Sequence, residues 1–120
     1  MNNLWDYRPH VWDYRESTWT LDRDLVGYDV EATDGCVGVL DQAVSDVSGT
    51  YVVVDISSWS SEKLRLIPAG VVAGLDHGQR KVSLALTQDE LRKAPDYHRD
   101  RWDDAAHRRH DIYYAPRVDA

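Results

Sequence analysis

Apolar and polar residues alternate along several short stretches in the middle of the chain. A period of two is typical of a strand that buries one face and leaves the other in water. In the stretch 63–66, for example, the alternation predicts Leu64 and Leu66 on the buried face and Arg65 on the wet face. Alternation, or an apolar run between turn residues, marks six strand candidates: 25–32, 37–40, 51–57, 63–66, 71–75 and 81–86.

Glycine-containing turns separate these strand candidates. Asp34-Gly35 is a strong hairpin signal because glycine accepts a positive φ without steric penalty. We predict Asp34, Gly35 and Gly38 as structural turn residues. Short strands at a spacing of about ten residues are typical of a small barrel or sandwich. We therefore predict a mainly β protein, a small six-stranded closed barrel that is filled by its own side chains and has no free edge.

Helical patterns follow the last strand candidate. Thr87 and Glu90 fit a capping box, in which each side chain bonds the backbone of the other residue, and Pro95 ends the segment. The stretch 101–114 is amphipathic if helical. The apolar face that we predict for it consists of Trp102, Ala105, Ala106 and Tyr113. The sequence thus predicts a short helix after the barrel and a further helix in the C-terminal tail.

The charge distribution bears on the partners of the protein. The chain has 120 residues and a formal net charge of −7, from 14 basic and 21 acidic residues, and neither the barrel segment nor either flank is net positive. Phosphate backbones are bound by clustered lysine and arginine, so we expect no nucleic acid as a partner; the one local basic pair that we single out is Arg108-Arg109. The single cysteine, Cys36, excludes an intrachain disulfide. The lack of a signal-peptide pattern or a long apolar run predicts a cytoplasmic protein without membrane insertion.

Aromatic residues are concentrated in the two flanks of the predicted barrel. The chain has 5 tryptophans and 7 tyrosines, and the segment Trp5-Asp6-Tyr7-Arg8 is repeated as Trp12-Asp13-Tyr14-Arg15. Tryptophan and tyrosine combine an apolar body with a polar tip, which suits interfaces. The flanks either fold back onto the barrel or anchor a partner or a second copy of the chain. The candidate interface residues are Trp5, Tyr7, Trp12, Tyr14, Trp19, Trp59, Trp102 and Tyr113.

No stretch of the sequence has the pattern of a catalytic or cofactor site. His107 and His110 would share a helical face, but two histidines among arginines make a poor metal site, and a solvated charged helix is the simpler interpretation. Asp41 and Asp55 are the candidates for a pair of carboxylates that carries out acid–base catalysis. Aspartates at such positions more often face solvent or cap turns. We predict no catalytic residue, no metal and no cofactor, and keep an enzymatic or metal site at these residues as an alternative.

The order of several motifs resembles a known family. The motifs are Gly27–Gly35 followed by Val37-Gly38, the valine-rich stretch Tyr51–Asp55, the step Leu66-Ile67-Pro68, and Leu86-Thr87 with Ala94-Pro95. Over residues 25–97 this order is similar to the PRC-barrel family, in particular to its free-standing bacterial members. The resemblance implies a six-stranded barrel that serves as an assembly or docking module and has no shared catalytic residues. One type of member is the C-terminal half of a ribosome maturation factor.

These observations predict three segments: an aromatic-rich N-terminal flank, 1–24, a PRC-type barrel, 25–97, and a partly helical C-terminal tail, 98–120. The predicted function is a non-enzymatic adaptor that binds a protein partner or associates with itself, for example as a homodimer. An accessory role in RNA–protein assembly, such as ribosome assembly, is the alternative that the resemblance implies. The sequence identifies neither the partner nor the cellular process.

Overall fold

The computed structural model describes residues 11–12, 25–46, 49–57 and 64–118. It contains six strands, two helices and two single turns of 3-10 helix. The strands are β1 Asp29–Ala32, β2 Gly35–Asp46, β3 Gly49–Asp55, β4 Leu64–Pro68, β5 Val72–Asp76 and β6 Lys81–Leu84. The helices are α1 Gln88–Arg92 and α2 Asp104–Val118, and the 3-10 turns span Ala69–Val71 and Arg99–Arg101. The predicted mainly β class with six strands is confirmed.

The six strands form one mixed sheet in the order β4-β3-β2-β1-β6-β5. β1 and β6 are parallel, and all other neighbours are antiparallel. The two end strands, β4 and β5, follow each other along the chain with only the turn Ala69–Val71 between them. Within the described residues this chain link, and no ladder of hydrogen bonds, joins β4 to β5. Pro68 at the end of β4 has no N–H to donate to such a ladder.

The sheet is buried on both faces where β3 and β4 lie. One face carries the main hydrophobic core, to which Val54 and Ile67 belong. The opposite face carries a smaller core, which consists of Tyr51, Val53, Leu66 and Tyr97. The alternation in 63–66 correctly placed Leu66 on a buried face, where it lies in the smaller core. Arg65, expected in water, is only 2% exposed, because the C-terminal end of α1 lies against it and accepts its hydrogen bonds. A local pattern does not report this contact.

The β1–β2 hairpin positions α1. Its two-residue turn ends at Asp34, and β2 begins at Gly35. The Asp34 carboxylate accepts a hydrogen bond of 2.8 Å from the backbone N–H of Gln88, the first residue of α1. Farther along β2, a Cβ on Gly38 would overlap the carbonyl oxygen of Asp55. A residue without a side chain is therefore required where β2 and the end of β3 come together.

Both helices that we predicted from the sequence are present. The capping box of α1 is confirmed, because Thr87 Oγ1 accepts from the Glu90 N–H (3.1 Å) and the Glu90 carboxylate accepts from the Thr87 N–H (2.9 Å). The predicted apolar face of α2 is only partly right: Ala106 is buried and Trp102 and Tyr113 are half-buried, but Ala105 is exposed. The fully buried residues of α2 are His110 and Tyr114, which the prediction did not include. No helix in the described part of the chain is long and apolar enough to cross a membrane.

Candidate docking site around Trp12 and Trp102

The dipeptide Val11–Trp12 lies against the start of β3 and the 3-10 turn that follows β4. The Gly70 N–H donates to the Val11 carbonyl (2.7 Å), and the Thr50 N–H donates to the Trp12 carbonyl (3.0 Å). The Val11 side chain is only 3% exposed and belongs to the main core. The carbonyls of the dipeptide thus accept hydrogen bonds from backbone N–H groups at the start of β3 and just after the end of β4.

The Trp12 side chain links the sheet to α2. Its indole N–H donates to the Asp111 carboxylate (3.0 Å), and its ring stacks on the His107 imidazole with centroids 4.3 Å apart and planes inclined by 20°. Glycine is required at position 49 for this approach, because Gly49 has a φ of +137° and a Cβ there would lie 2.7 Å from the Trp12 Cβ. Backbone, carboxylate and ring contacts together fix the orientation of Trp12.

Trp102 lies at the centre of an aromatic cluster over the smaller core. Its ring centroid is 6.4 Å from that of Trp12, 5.7 Å from those of Tyr51 and Tyr97, and 5.2 Å from that of His110. Trp12 and Trp102 are both half-buried. These two predicted interface residues therefore pack largely against the protein itself, and their role towards a partner stays a prediction.

A buried arginine fixes the segment that leads to Trp102. Arg65 Nε donates to the Leu91 carbonyl and Arg65 Nη2 to the Arg92 carbonyl, both at 3.1 Å. These carbonyls lie at the C-terminal end of α1, where the regular hydrogen bonds of the helix end; the Leu91 carbonyl also accepts from the Ala94 N–H at 3.2 Å. Arg65 Nη1 also pairs with the Asp96 carboxylate at 3.1 Å. Sequence reasoning missed Arg65 because a charged residue in an alternating strand normally points into water.

Tyr113, a third predicted interface residue, joins α2 to α1. Its hydroxyl donates to the Glu90 carbonyl (2.6 Å), and the Arg117 guanidinium lies 3.9 Å from the centre of its ring. Burial raises the pKa of the Tyr113 hydroxyl above its ordinary value, because the phenolate is poorly solvated there. The hydroxyl therefore stays protonated at neutral pH and acts as a donor within the fold.

His110 and Tyr114 are buried titratable groups of α2. His110 Nδ1 lies 2.8 Å from the Ala106 carbonyl, whereas His110 Nε2 and the Tyr114 hydroxyl have no hydrogen-bond partner within the described ranges. Burial lowers the pKa of His110 and raises the pKa of Tyr114, because each charged form would be poorly solvated. The interpretation of a solvated helix face was wrong for His110, because α2 turns this side chain towards Trp102.

The carboxylates considered for acid–base chemistry take part in local structure. Asp41 lies at a bulge in β2 and pairs with Arg99. Asp55 accepts a hydrogen bond from the Ser57 N–H at 2.9 Å and so caps the turn after β3. In the ranges 11–12, 25–46, 49–57 and 64–118, no group of three or more His, Cys, Asp and Glu side chains could hold a metal ion.

The outward side of α2 carries an exposed apolar residue beside two arginines. Ile112 is 67% exposed, and Arg108 and Arg109 are exposed one helical turn before it. Residues three and four apart are neighbours on a helix surface. No hydrogen bond or ion pair joins the guanidinium group of either arginine to another residue in the part of the chain that the structure describes. We refer to Arg108, Arg109 and Ile112 as the α2 outer face.

The remaining predicted interface residues, Trp5, Tyr7, Tyr14, Trp19 and Trp59, lie outside the described residues. Sequence reasoning singled out Arg108-Arg109 as a local basic pair but missed Ile112. The reason is that we placed Ala105, which lies on the same side of the helix seven positions earlier, on the buried face. One signal was available: Ile112 is an aliphatic residue four positions from Arg108 and cannot share a face with His110.

The structure thus defines a mainly β protein with one six-stranded mixed sheet and a helical C-terminal segment. Among solved structures it is similar to a chain from Pseudomonas aeruginosa named as a 16S ribosomal RNA processing protein, RimM, with 17% sequence identity and a TM-score of 0.43. The match covers 71% of this chain and 49% of that chain, so this chain spans about half the length of the protein it matches. No family model and no curated protein matches the chain.

This comparison corrects one expectation from the sequence. The net charge led us to expect no nucleic acid as a partner, but the similar chain is named for the processing of an RNA, so the exclusion was wrong. A net charge is a sum over the whole chain and does not describe a local basic pair such as Arg108 and Arg109, which have no carboxylate partner among the described residues.

Proposed function

We propose that the protein is a non-enzymatic docking module built on a PRC-type barrel, and that the α2 outer face binds an acidic protein partner. The observation that carries this proposal is Ile112, 67% exposed beside two arginines that have no carboxylate partner among the described residues. An exposed aliphatic side chain with two unpaired cations complements an apolar patch that is rimmed by carboxylates. The order of motifs in 25–97 and the six-stranded sheet support the family assignment.

The inner side of α2 is held firmly, which supports a docking role for the outer side. His110 and Tyr114 are fully buried, the Tyr113 hydroxyl bonds the Glu90 carbonyl, and Asp111 accepts from the Trp12 indole. A helix that is fixed in this way loses little conformational entropy when a partner binds. The non-enzymatic part of the proposal is supported by the positions of His110 and Tyr114, whose pKa values are shifted by burial inside the packing and not in a cleft.

Charge reversal on α2 tests the proposal. The double variant Arg108→Glu/Arg109→Glu and the single variant Ile112→Ser are immobilised beside the unaltered protein and exposed to a cell extract. The control, Lys81→Glu/Lys93→Glu, changes the net charge by the same amount on β6 and after α1. We expect a set of proteins that bind the unaltered chain and the control but bind both α2 variants about ten-fold less, as for interface residues that contribute about 1.4 kcal/mol. Equal capture by all four proteins contradicts the proposal.

Treatment of the extract with ribonuclease distinguishes a protein partner from an RNA partner. Capture by the α2 outer face that survives treatment with ribonuclease supports an acidic protein partner. Capture that is lost after ribonuclease contradicts it and assigns the face to RNA–protein assembly instead. In that case each arginine replaced by glutamine lowers the slope of log affinity against log salt concentration by about 0.7, the value for a single-stranded phosphate contact. The cytoplasmic location, the three-segment division and self-association stay predictions.

A further inference from the structure

The contacts of Val11–Trp12 define a binding groove for a short peptide. We call it the Trp12 groove: the backbone donors of Thr50 and Gly70, the imidazole face of His107 and the carboxylate of Asp111. The two donors bond successive carbonyls of the dipeptide at 3.0 and 2.7 Å. His107 stacks on the indole at 4.3 Å, and Asp111 accepts from the indole N–H at 3.0 Å.

These contacts indicate which sequences the groove accepts. Backbone donors bind any residue, so they supply affinity without selecting a side chain. Selection comes from the buried position of Val11, which is 3% exposed and takes an aliphatic side chain, and from the stacked indole with its bonded N–H. The groove is therefore selective for an aliphatic residue followed by tryptophan.

The chain contains this pair of residues twice. Val11-Trp12-Asp13-Tyr14-Arg15 is preceded by Leu4-Trp5-Asp6-Tyr7-Arg8, which has an aliphatic residue at the same place and is identical in the next four residues. The third tryptophan at the seven-residue spacing, Trp19, lies between Thr18 and Thr20 and has neither the aliphatic residue before it nor the aspartate after it. The two copies of the motif thus share the aliphatic residue and the tryptophan that contact the groove, and the sequence around Trp19 does not.

We infer that Leu4–Trp5 of the same chain is a second occupant of the Trp12 groove and exchanges with Val11–Trp12. The tether from the dipeptide to Leu25 is residues 13–24 in one case and residues 6–24 in the other. Because loop-closure entropy grows only with the logarithm of length, the longer tether reduces the local concentration by about two-fold. An occupant from the same chain also has an effective concentration in the millimolar range, roughly, which a second copy does not reach.

This inference rests on the contacts of the groove and does not depend on the proposed function of the α2 outer face. Within the described structure, no hydrogen bond, ion pair or ring contact joins Val11 or Trp12 to the residues of the charge-reversal experiment, Arg108, Arg109 and Ile112. Exchange releases Val11–Trp12 from the sheet whenever Leu4–Trp5 is bound, so the two copies of the motif cannot occupy the groove at the same time.

Stability measurements on three variants test the exchange. The variants are Trp5→Ala, Trp12→Ala and the double variant, each unfolded in urea and followed by far-ultraviolet circular dichroism. If Leu4–Trp5 replaces Val11–Trp12, Trp5→Ala leaves the urea midpoint unchanged. Trp12→Ala then lowers it by less than half of the shift that the double variant shows. A Trp12→Ala midpoint equal to that of the double variant overturns the inference.

Nuclear magnetic resonance of the indole N–H groups gives a second test that does not require the double variant to fold. In the unaltered chain, Asp111→Asn shifts the Trp12 indole resonance, because it replaces the acceptor of that N–H. In Trp12→Ala we expect Asp111→Asn to shift a different indole resonance, which persists in the matched control Trp12→Ala/Trp19→Ala. The absence of any responding indole overturns the inference. A doubled molecular mass of Trp12→Ala in sedimentation equilibrium overturns the same-chain assignment in favour of a second copy.

Discussion

At the scale of single residues, Arg65 decides how the smaller core is covered. It lies in β4 between the two leucines that face the aromatic cluster, yet its own side chain runs to the end of α1 and bonds the carbonyls of Leu91 and Arg92. A buried charge is stable only when its donors are satisfied, and here the satisfied donors also fix the chain just before Tyr97. The covering of Tyr51 and Leu66 by Tyr97 and Trp102 thus depends on a cation.

Replacement of Arg65 by methionine tests this dependence. Methionine keeps much of the side-chain volume but removes the guanidinium donors from the Leu91 and Arg92 carbonyls and from the Asp96 carboxylate. We expect the free energy of unfolding to fall by about 2 kcal/mol, the range for hydrogen bonds made by a buried charged group. The control Lys93→Met removes a lysine that is 71% exposed and paired only at the surface with Asp89, and should change stability by less than about 0.5 kcal/mol. Equal effects in urea denaturation would show that Arg65 is not a structural link.

At the scale of elements, the sequence predicted those strands and helices whose positions depend on a local residue pattern. β3 and β6 alternate, and the Thr87–Glu90 capping box depends on residues three apart, so these elements appear where we predicted them. The face of α2 was not predictable in the same way. Its buried side contains His110, a residue that sequence reasoning places in water. His110 is fully buried in the fold, where the Trp102 ring lies against it. Tertiary packing, and not helical periodicity, selected that face.

The docking of Val11–Trp12 on β3 is an element-scale contact that one methyl group should disturb. Gly49→Ala places a Cβ within 2.7 Å of the Trp12 Cβ and at a φ of +137°, so both the backbone and the packing are strained. We expect a loss of about 2 kcal/mol in the free energy of unfolding. Gly74→Ala is the matched control, because its Cβ would meet Ser83 at an ordinary 3.6 Å and should leave stability within about 1 kcal/mol. Equal stability of the two variants in urea would contradict the described position of Trp12.

At the scale of the whole molecule, Val11–Trp12 and the C-terminal helix α2 meet on one side of the sheet. The bond from the Trp12 indole to Asp111 joins residues 99 positions apart in the chain, and the Trp12 ring also reaches Tyr51 and Trp102. The concentration of aromatic residues in the flanks indicated that these segments make specific packing contacts. It did not reveal whether they pack on the barrel or on a partner, because that choice depends on contacts between residues far apart in sequence.

His110 lies where these parts meet, so its titration should affect the stability of the whole protein. Burial is the main cause that lowers its pKa below the ordinary value of 6.5; the Ala106 carbonyl opposes this, and the nearby charges of Arg109, His107 and Arg65 lower the pKa further. As pH falls through about 6.5, the unfolded chain takes up a proton at this position before the folded protein does. Stability is therefore lost from about pH 6.5 downwards to the folded pKa, and this group adds no pH dependence above that window.

The variant His110→Phe isolates this effect, because phenylalanine keeps an aromatic ring beside Trp102 and cannot take up a proton. We expect the difference in free energy of unfolding between the variant and the unaltered protein to be constant above about pH 7 and to shift in favour of the variant towards about pH 5. Urea unfolding at a series of pH values measures the difference directly, and the titration of all other groups cancels in it. Parallel stability curves over this range would mean that His110 is protonated equally in the folded and unfolded chains, which is incompatible with an imidazole that is fully buried against Trp102 and Tyr114.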